Sequence, residues 1–159
     1  MRVYETLRRN LGLRLWHIGI ILAMLAGWYP AEGLAATVGV HTFGRYEIVL
    51  QEGIPVEVGE ILGVVRRQTG LPEYPLMWGV ERATLGLNVL GPGNRPLRLA
   101  SAEGSSPAIA GGGPQRFILA RSTRQGEVLV LHVRQANQPR RSVLRIDLRS
   151  LERRLEGGR

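Results

Sequence analysis

The clearest pattern in the chain lies between Glu127 and Arg134, where Leu129, Leu131 and Val133 alternate with Val128, Val130 and His132. Alternation with apolar residues on both sides predicts a strand deep in a sheet. A β-type run over residues 115–120 precedes it, and Arg121 to Gly126 reads as the turn between them. Pro114 to Arg134 is therefore predicted to be a hairpin, entered through the glycines Gly111, Gly112 and Gly113. Residues 142–149 predict another strand, with Leu144, Ile146 and Leu148 inward and Val143, Arg145, Asp147 and Arg149 outward. Shorter β-type pieces fall at 38–42, 45–50, 76–81 (carrying Trp78) and 97–100, and 82–90 continues as a second β piece or an irregular segment. Residues 56–65 are predicted as one strand with a bend or bulge at Gly59-Glu60. Residues 66–75 read as a loop broken by Gly70, Pro72 and Pro75, and residues 101–113 as a glycine-rich surface loop. Leu148, Leu151 and Leu155 share helical spacing, so residues 150–156 predict a short helix stopped by Gly157-Gly158.

About six to eight short strands separated by turns, with no helical run between them, point to an all-β domain over residues 37–149. An immunoglobulin-like β-sandwich is the expected architecture. Residues 150–159 form a short helical or disordered tail. Residues 1–36 differ in kind: Arg2, Arg8, Arg9 and Arg14 precede an apolar stretch, and small residues follow at Leu34-Ala35-Ala36. That order is the grammar of a secretory signal peptide. The uncharged run from Leu15 to Ala31 is also at the short edge of what spans a bilayer, so a retained membrane anchor is the alternative. Both predict an exported chain, periplasmic or extracellular or held at the inner membrane, with membrane contact only if Leu15 to Ala31 is retained.

Composition narrows the chemistry. Hydrophobic residues make up 44% of the chain, enough for a packed core in 159 residues. There is no Cys and no Lys, since all 21 basic residues are Arg. Disulfides, zinc-thiolate sites, a P-loop lysine, a Schiff-base lysine and a Ser-Lys dyad are thereby excluded. The net charge of +8 raises the question of nucleic acid. The arginines are scattered along the sequence in pairs such as Arg66-Arg67 and Arg140-Arg141, without interleaved aromatics, and nucleic-acid binding is not expected. His132 lies on an apolar strand face, where a packed histidine is expected; no metal motif occurs, and neither metal nor cofactor is predicted. A Ser-His-Asp site would have to combine His41 or His132 with Asp147, the only Asp, and no serine sits in a nucleophile elbow. The expectation is a protein without catalytic residues.

With the strands laid out, the mature chain resembles the chagasin-type inhibitors of papain-like cysteine proteases. Three stretches carry the resemblance. Arg67-Gln68-Thr69-Gly70 stands where the family's Asn-Pro-Thr-Thr-Gly loop belongs, with Trp78 on the following strand. Gly111-Gly112-Gly113 running into Phe117 is similar to its glycine-rich loop, and residues 126–134 to the strand ending in the Arg of its Arg-Pro-Trp loop. Asn-Pro is absent from the first, and Gln135-Ala136 stands where Pro-Trp would follow Arg134. The resemblance implies an immunoglobulin-like sandwich whose loops enter a protease cleft. Gln68, Thr69, Gly70, Gly111, Gly112, Gly113 and Arg134 would then be the partner-binding residues, gathered along one edge. Two functions follow: an exported inhibitor of a papain-like protease, or an accessory subunit of an envelope or membrane complex. In both, the partner is a protein.

Overall fold

A computed structural model of the chain describes residues 36–103, 115–138 and 140–157. The predicted N-terminal signal or anchor and the triple glycine lie outside the described residues. Ten strands form two antiparallel sheets, a sandwich-like all-β arrangement. The first sheet has the order β1-β2-β4-β5-β6-β7, from β1 (Thr37–Phe43), β2 (Tyr46–Glu52), β4 (Ile61–Arg67), β5 (Gly70–Glu81), β6 (Thr84–Leu90) and β7 (Pro96–Ser101). The second has the order β10-β9-β8-β3, from β3 (Pro55–Glu57), β8 (Arg116–Gln125), β9 (Val128–Gln135) and β10 (Arg141–Asp147). Immunoglobulin sheets reach their order through Greek-key connections. Here most neighbours in sequence are neighbours in a sheet; the departures are β3, which pairs with β8, and the passage from β7 to β8, which changes sheet. The described residues bear out the expectation as far as two antiparallel sheets of an all-β, sandwich-like domain.

The predicted strand over 56–65 is two strands in different sheets. Gly59-Glu60 belongs to the turn by which the chain leaves β3 and enters β4, closed by Glu60 N–H to Glu57 O at 3.0 Å. The predicted loop over 66–75 is largely strand. β6 pairs with β5 only from Leu76 onward, so Pro72 and Pro75 fall where β5 has a neighbour on one side. A missing N–H is tolerated at such a position. The opening hairpin is longer than its pattern suggests. A register shift between Leu119 and Arg121 lets β8 continue to Gln125, so the turn is only Gly126-Glu127.

The inward residues of both sheets form the core. Trp78 and Phe117 meet edge to face at 6.3 Å, and Leu129, Leu131, Leu144 and Ile146 pack from the second sheet. The helix α1 (Leu148–Glu156) begins at Asp147, whose carboxylate accepts from Ser150 N at 3.0 Å. Leu148, Leu151 and Leu155 are buried along one side, as their spacing predicts.

Hydrogen bonds tie the sheets together at both sides. Beyond β2, Gly53 N–H donates to Leu119 O at 2.7 Å, carrying the chain across to β3. Beyond β7, Glu103 N–H donates to Val143 O at 2.9 Å, joining that edge to β10.

Candidate functional site

The structure separates the residues that the loop reading placed together. Gln68 and Thr69 form the β4–β5 turn beside the Gly44-Arg45 turn: Gln68 N–H donates to Arg45 O at 2.9 Å, and its side-chain amide to Gly44 O and Tyr46 O. Gln68 is thus a strut between two turns, while Thr69 and Gly70 are exposed. Arg134 lies near the other end of β9, paired with Ile118 and Arg141. The directions are fixed by the seam between the sheets, where Ser122 lies beside His41 and Arg124 reaches Thr42 O, next to the Gly44 turn. β8 therefore runs toward the Gln68 end, and β9 runs away from it. From Val128 to Arg134 is about 20 Å of strand. The single binding edge combining Thr69-Gly70 with Arg134 does not form, because one strand length separates them. Gly111, Gly112 and Gly113 lie outside the described residues.

What the fold does present is an open strand edge. In an antiparallel pair, alternate residues turn their N–H and C=O toward the partner strand and away from it. Phe43 pairs with Tyr46 across a two-residue turn, so Phe43, His41, Gly39 and Thr37 bond inward to β2. Val38, Val40 and Thr42 therefore direct their backbone groups outward. Thr42 O is taken by the Arg124 guanidinium, but Val38 and Val40 have no backbone partner on that side among the described residues. Their side chains are exposed too, Val38 to 37% and Val40 to 53%. β1 contains no charged residue, no proline and no register shift, and so lacks the devices that usually blunt an edge. Two of the other edges differ: β3 is three residues long and starts with Pro55, and Glu103 bridges to β10 at Val143.

Behind β1 lies a polar cluster that joins it to β8. His41 Nε2 is 2.7 Å from Ser122 Oγ, and the Glu52 carboxylate accepts from both the Ser122 hydroxyl and the Ser122 N–H, the latter at 2.9 Å. Thr37 Oγ1 donates to the second Glu52 oxygen at 3.3 Å. Ser122 has one hydroxyl proton, and a carboxylate can only accept, so the proton points to Glu52. His41 must then donate from Nε2. A nucleophilic serine needs the reverse, donating to the imidazole; here the relay ends on the carboxylate and holds two strands together. Burial lowers the His41 pKa, the nearby Glu52 charge opposes that shift, and Arg124 adds to it.

Local motifs could not have revealed this cluster, because Ser122 is 70 residues from Glu52 and 81 from His41. Among the described residues no group of His, Cys, Asp and Glu could hold a metal ion, and no helix is long and apolar enough to cross a membrane. No protein-family model, curated protein or solved structure matches the chain.

Proposed function

We propose that this chain is an exported, non-catalytic β-sandwich that binds a protein partner by adding a strand of that partner to β1. The observation that carries this reading is the open edge at Val38 and Val40, regular and uncharged, with outward backbone groups and exposed valines. Main-chain hydrogen bonds to such an edge supply affinity, and side chains at alternate positions supply selectivity. The seam of His41, Ser122 and Glu52 supports the same role by holding β1 against β8, so the edge is presented already ordered and little conformational freedom is lost on binding. The basic and apolar N-terminal sequence supports export. An accessory subunit of an envelope complex fits this reading. Occlusion of a protease cleft by three loops receives no support from the placement of Gln68, Thr69, Gly70 and Arg134.

The test is site-specific photo-crosslinking in the producing cell, with the reactive side chain at Val40 or, as a control, at exposed Val80. A discrete adduct from Val40, missing from Val80 and abolished by Val38→Pro, is expected. Proline at 38 removes an outward N–H while sparing the bonds from β1 to β2. An adduct that survives Val38→Pro, or the absence of any adduct at Val40, overturns the proposal.

A further inference from the structure

The arginines that are scattered in sequence are gathered by the strands. On the outer face of the four-stranded sheet Arg121 stands opposite His132, Arg134 opposite Arg141, and Arg145 opposite Val130. Directly opposed residues on one face lie about 5 Å apart at Cβ, and diagonal ones about 7–8 Å. Arg121, Arg134, Arg141 and Arg145 therefore surround His132, and Arg116 extends the group at the edge, opposite Glu57. Arg116, Arg121, Arg141 and Arg145 are exposed. Opposing charge on this face is sparser: Glu57, Glu103, which lies 3.2 Å from Arg145, and Asp147 at the end of β10, whose carboxylate caps α1. His132 registers the resulting field, its pKa lowered first by burial and then by Arg121, Arg145 and Arg141.

The outer face of the six-stranded sheet is different. There Glu47, Arg66 and Glu73 alternate in sign across β2, β4 and β5, and Arg98 lies 3.6 Å from Glu81. Positive charge is therefore segregated to one side of the sandwich.

We infer that the outer face of the four-stranded sheet docks on an anionic phospholipid surface, with its arginines on the headgroup phosphates. A guanidinium matches a phosphate with two parallel hydrogen bonds, and basic clusters are drawn to anionic leaflets. Three features favour lipid over nucleic acid. Among the described residues the face carries no Phe, Tyr or Trp on which a base could stack, since Phe117 points into the core against Trp78. The arginines spread over a sheet face and do not line a groove. The chain also carries the uncharged apolar run from Leu15 to Ala31, which is expected to bring it to a membrane.

The test uses the full-length chain and vesicle flotation, comparing neutral phosphatidylcholine vesicles with vesicles containing phosphatidylglycerol. The N-terminal segment inserts into both kinds and its own Arg2, Arg8, Arg9 and Arg14 also favour the anionic one, so the arginine face is read from the part of the difference that the variants below remove. Affinity is expected to rise about tenfold or more with phosphatidylglycerol at low salt, and the gain to be lost as salt screens it. The triple variant R121Q/R141Q/R145Q is expected to remove a large part of the gain, leaving what the N-terminal arginines supply. R82Q/R95Q/R153Q, which removes the same charge elsewhere, is expected to keep most of it. Circular dichroism confirms that both remain folded. No dependence on phosphatidylglycerol, or equal losses in the two triples, overturns the inference. Tighter binding to duplex DNA or single-stranded RNA than to the anionic vesicles at the same salt, lost in the first triple, overturns lipid as the occupant.

Discussion

His41 and Ser122 stand 81 residues apart in the chain and 2.7 Å apart in the fold. Their contact, with Glu52 as the terminal acceptor, is one of the side-chain links that set β1 against β8, beside that from Arg124 to Thr42 O. Ser122→Ala removes the hydroxyl that bridges the imidazole and the carboxylate, leaving a part-buried donor and acceptor without it. A loss of about 1–2 kcal/mol is expected, read as a lower urea midpoint at unchanged m-value. Glu52→Gln, which keeps an acceptor oxygen, should cost less than Glu52→Ala. The donor direction further predicts that a fluorophosphonate probe leaves Ser122 unlabelled; labelling there would contradict the relay as described.

Close approach of backbone fixes Gly63. It pairs with Leu50 in β2, and a Cβ at this position would collide with Val49 O and lie 3.1 Å from Leu50 Cδ2. Because the obstruction is main chain, it cannot swing aside. Gly63→Ala should destabilise by about 2–3 kcal/mol, as overpacking of a tight site does. Gly126, with φ of +61° and open space around it, offers the contrast: Gly126→Ala should cost only about 1 kcal/mol, from backbone strain alone. Thermal unfolding of the two variants side by side distinguishes these origins. A smaller loss at Gly63 than at Gly126 would refute the steric argument.

What could be read from sequence followed the range of the interaction involved. The alternation in β9 and β10 and the leucine spacing of α1 are local consequences of burial on one face, and they are found as predicted. Pro72, Pro75 and Gly70 suggested a loop because their local preferences disfavour a strand. Their tolerance depends on β6 ending at the level of Leu76, a fact of sheet pairing that no window of sequence contains. Gly59-Glu60 was visible as an interruption, but whether an interruption is a bulge or a change of sheet depends on the strand lying opposite. The candidate sites were the least legible. Thr69-Gly70 and Arg134 were joined by an assumed strand order, and the arginine face emerged only once β8, β9 and β10 were in register.

Trp78 offers a test of the core. It is almost fully buried against Phe117, and its indole Nε1 has no hydrogen-bond partner among the described groups. Trp78→Ala should cost about 3–5 kcal/mol through the cavity it leaves. Trp78→Phe keeps an aromatic ring against Phe117 and removes the buried N–H, so its cost should be clearly smaller. Equilibrium unfolding followed by far-ultraviolet circular dichroism checks the order, and equal losses would mean that the ring kept by Phe contributes nothing there.

The last prediction concerns acid. Burial and the arginines Arg121, Arg145 and Arg141 lower the His132 pKa in the folded chain below its ordinary value near 6.5. The sign follows from proton counting. Above that ordinary value His132 is neutral in both states and contributes no pH dependence. As pH falls through it, the unfolded chain takes up a proton that the folded chain resists, so folding stability declines. The decline ends once pH is below the lowered folded value and both states are charged. Stability should therefore rise with pH between the two values and level off above them, and His132→Gln should flatten part of that slope. Binding of an anion to the arginine face should weaken the field on His132 and raise its pKa, which proton NMR of the imidazole C–H resonances would follow directly. A His132 titration that moves down, or does not move, when anionic vesicles are added would separate the histidine from the arginines around it.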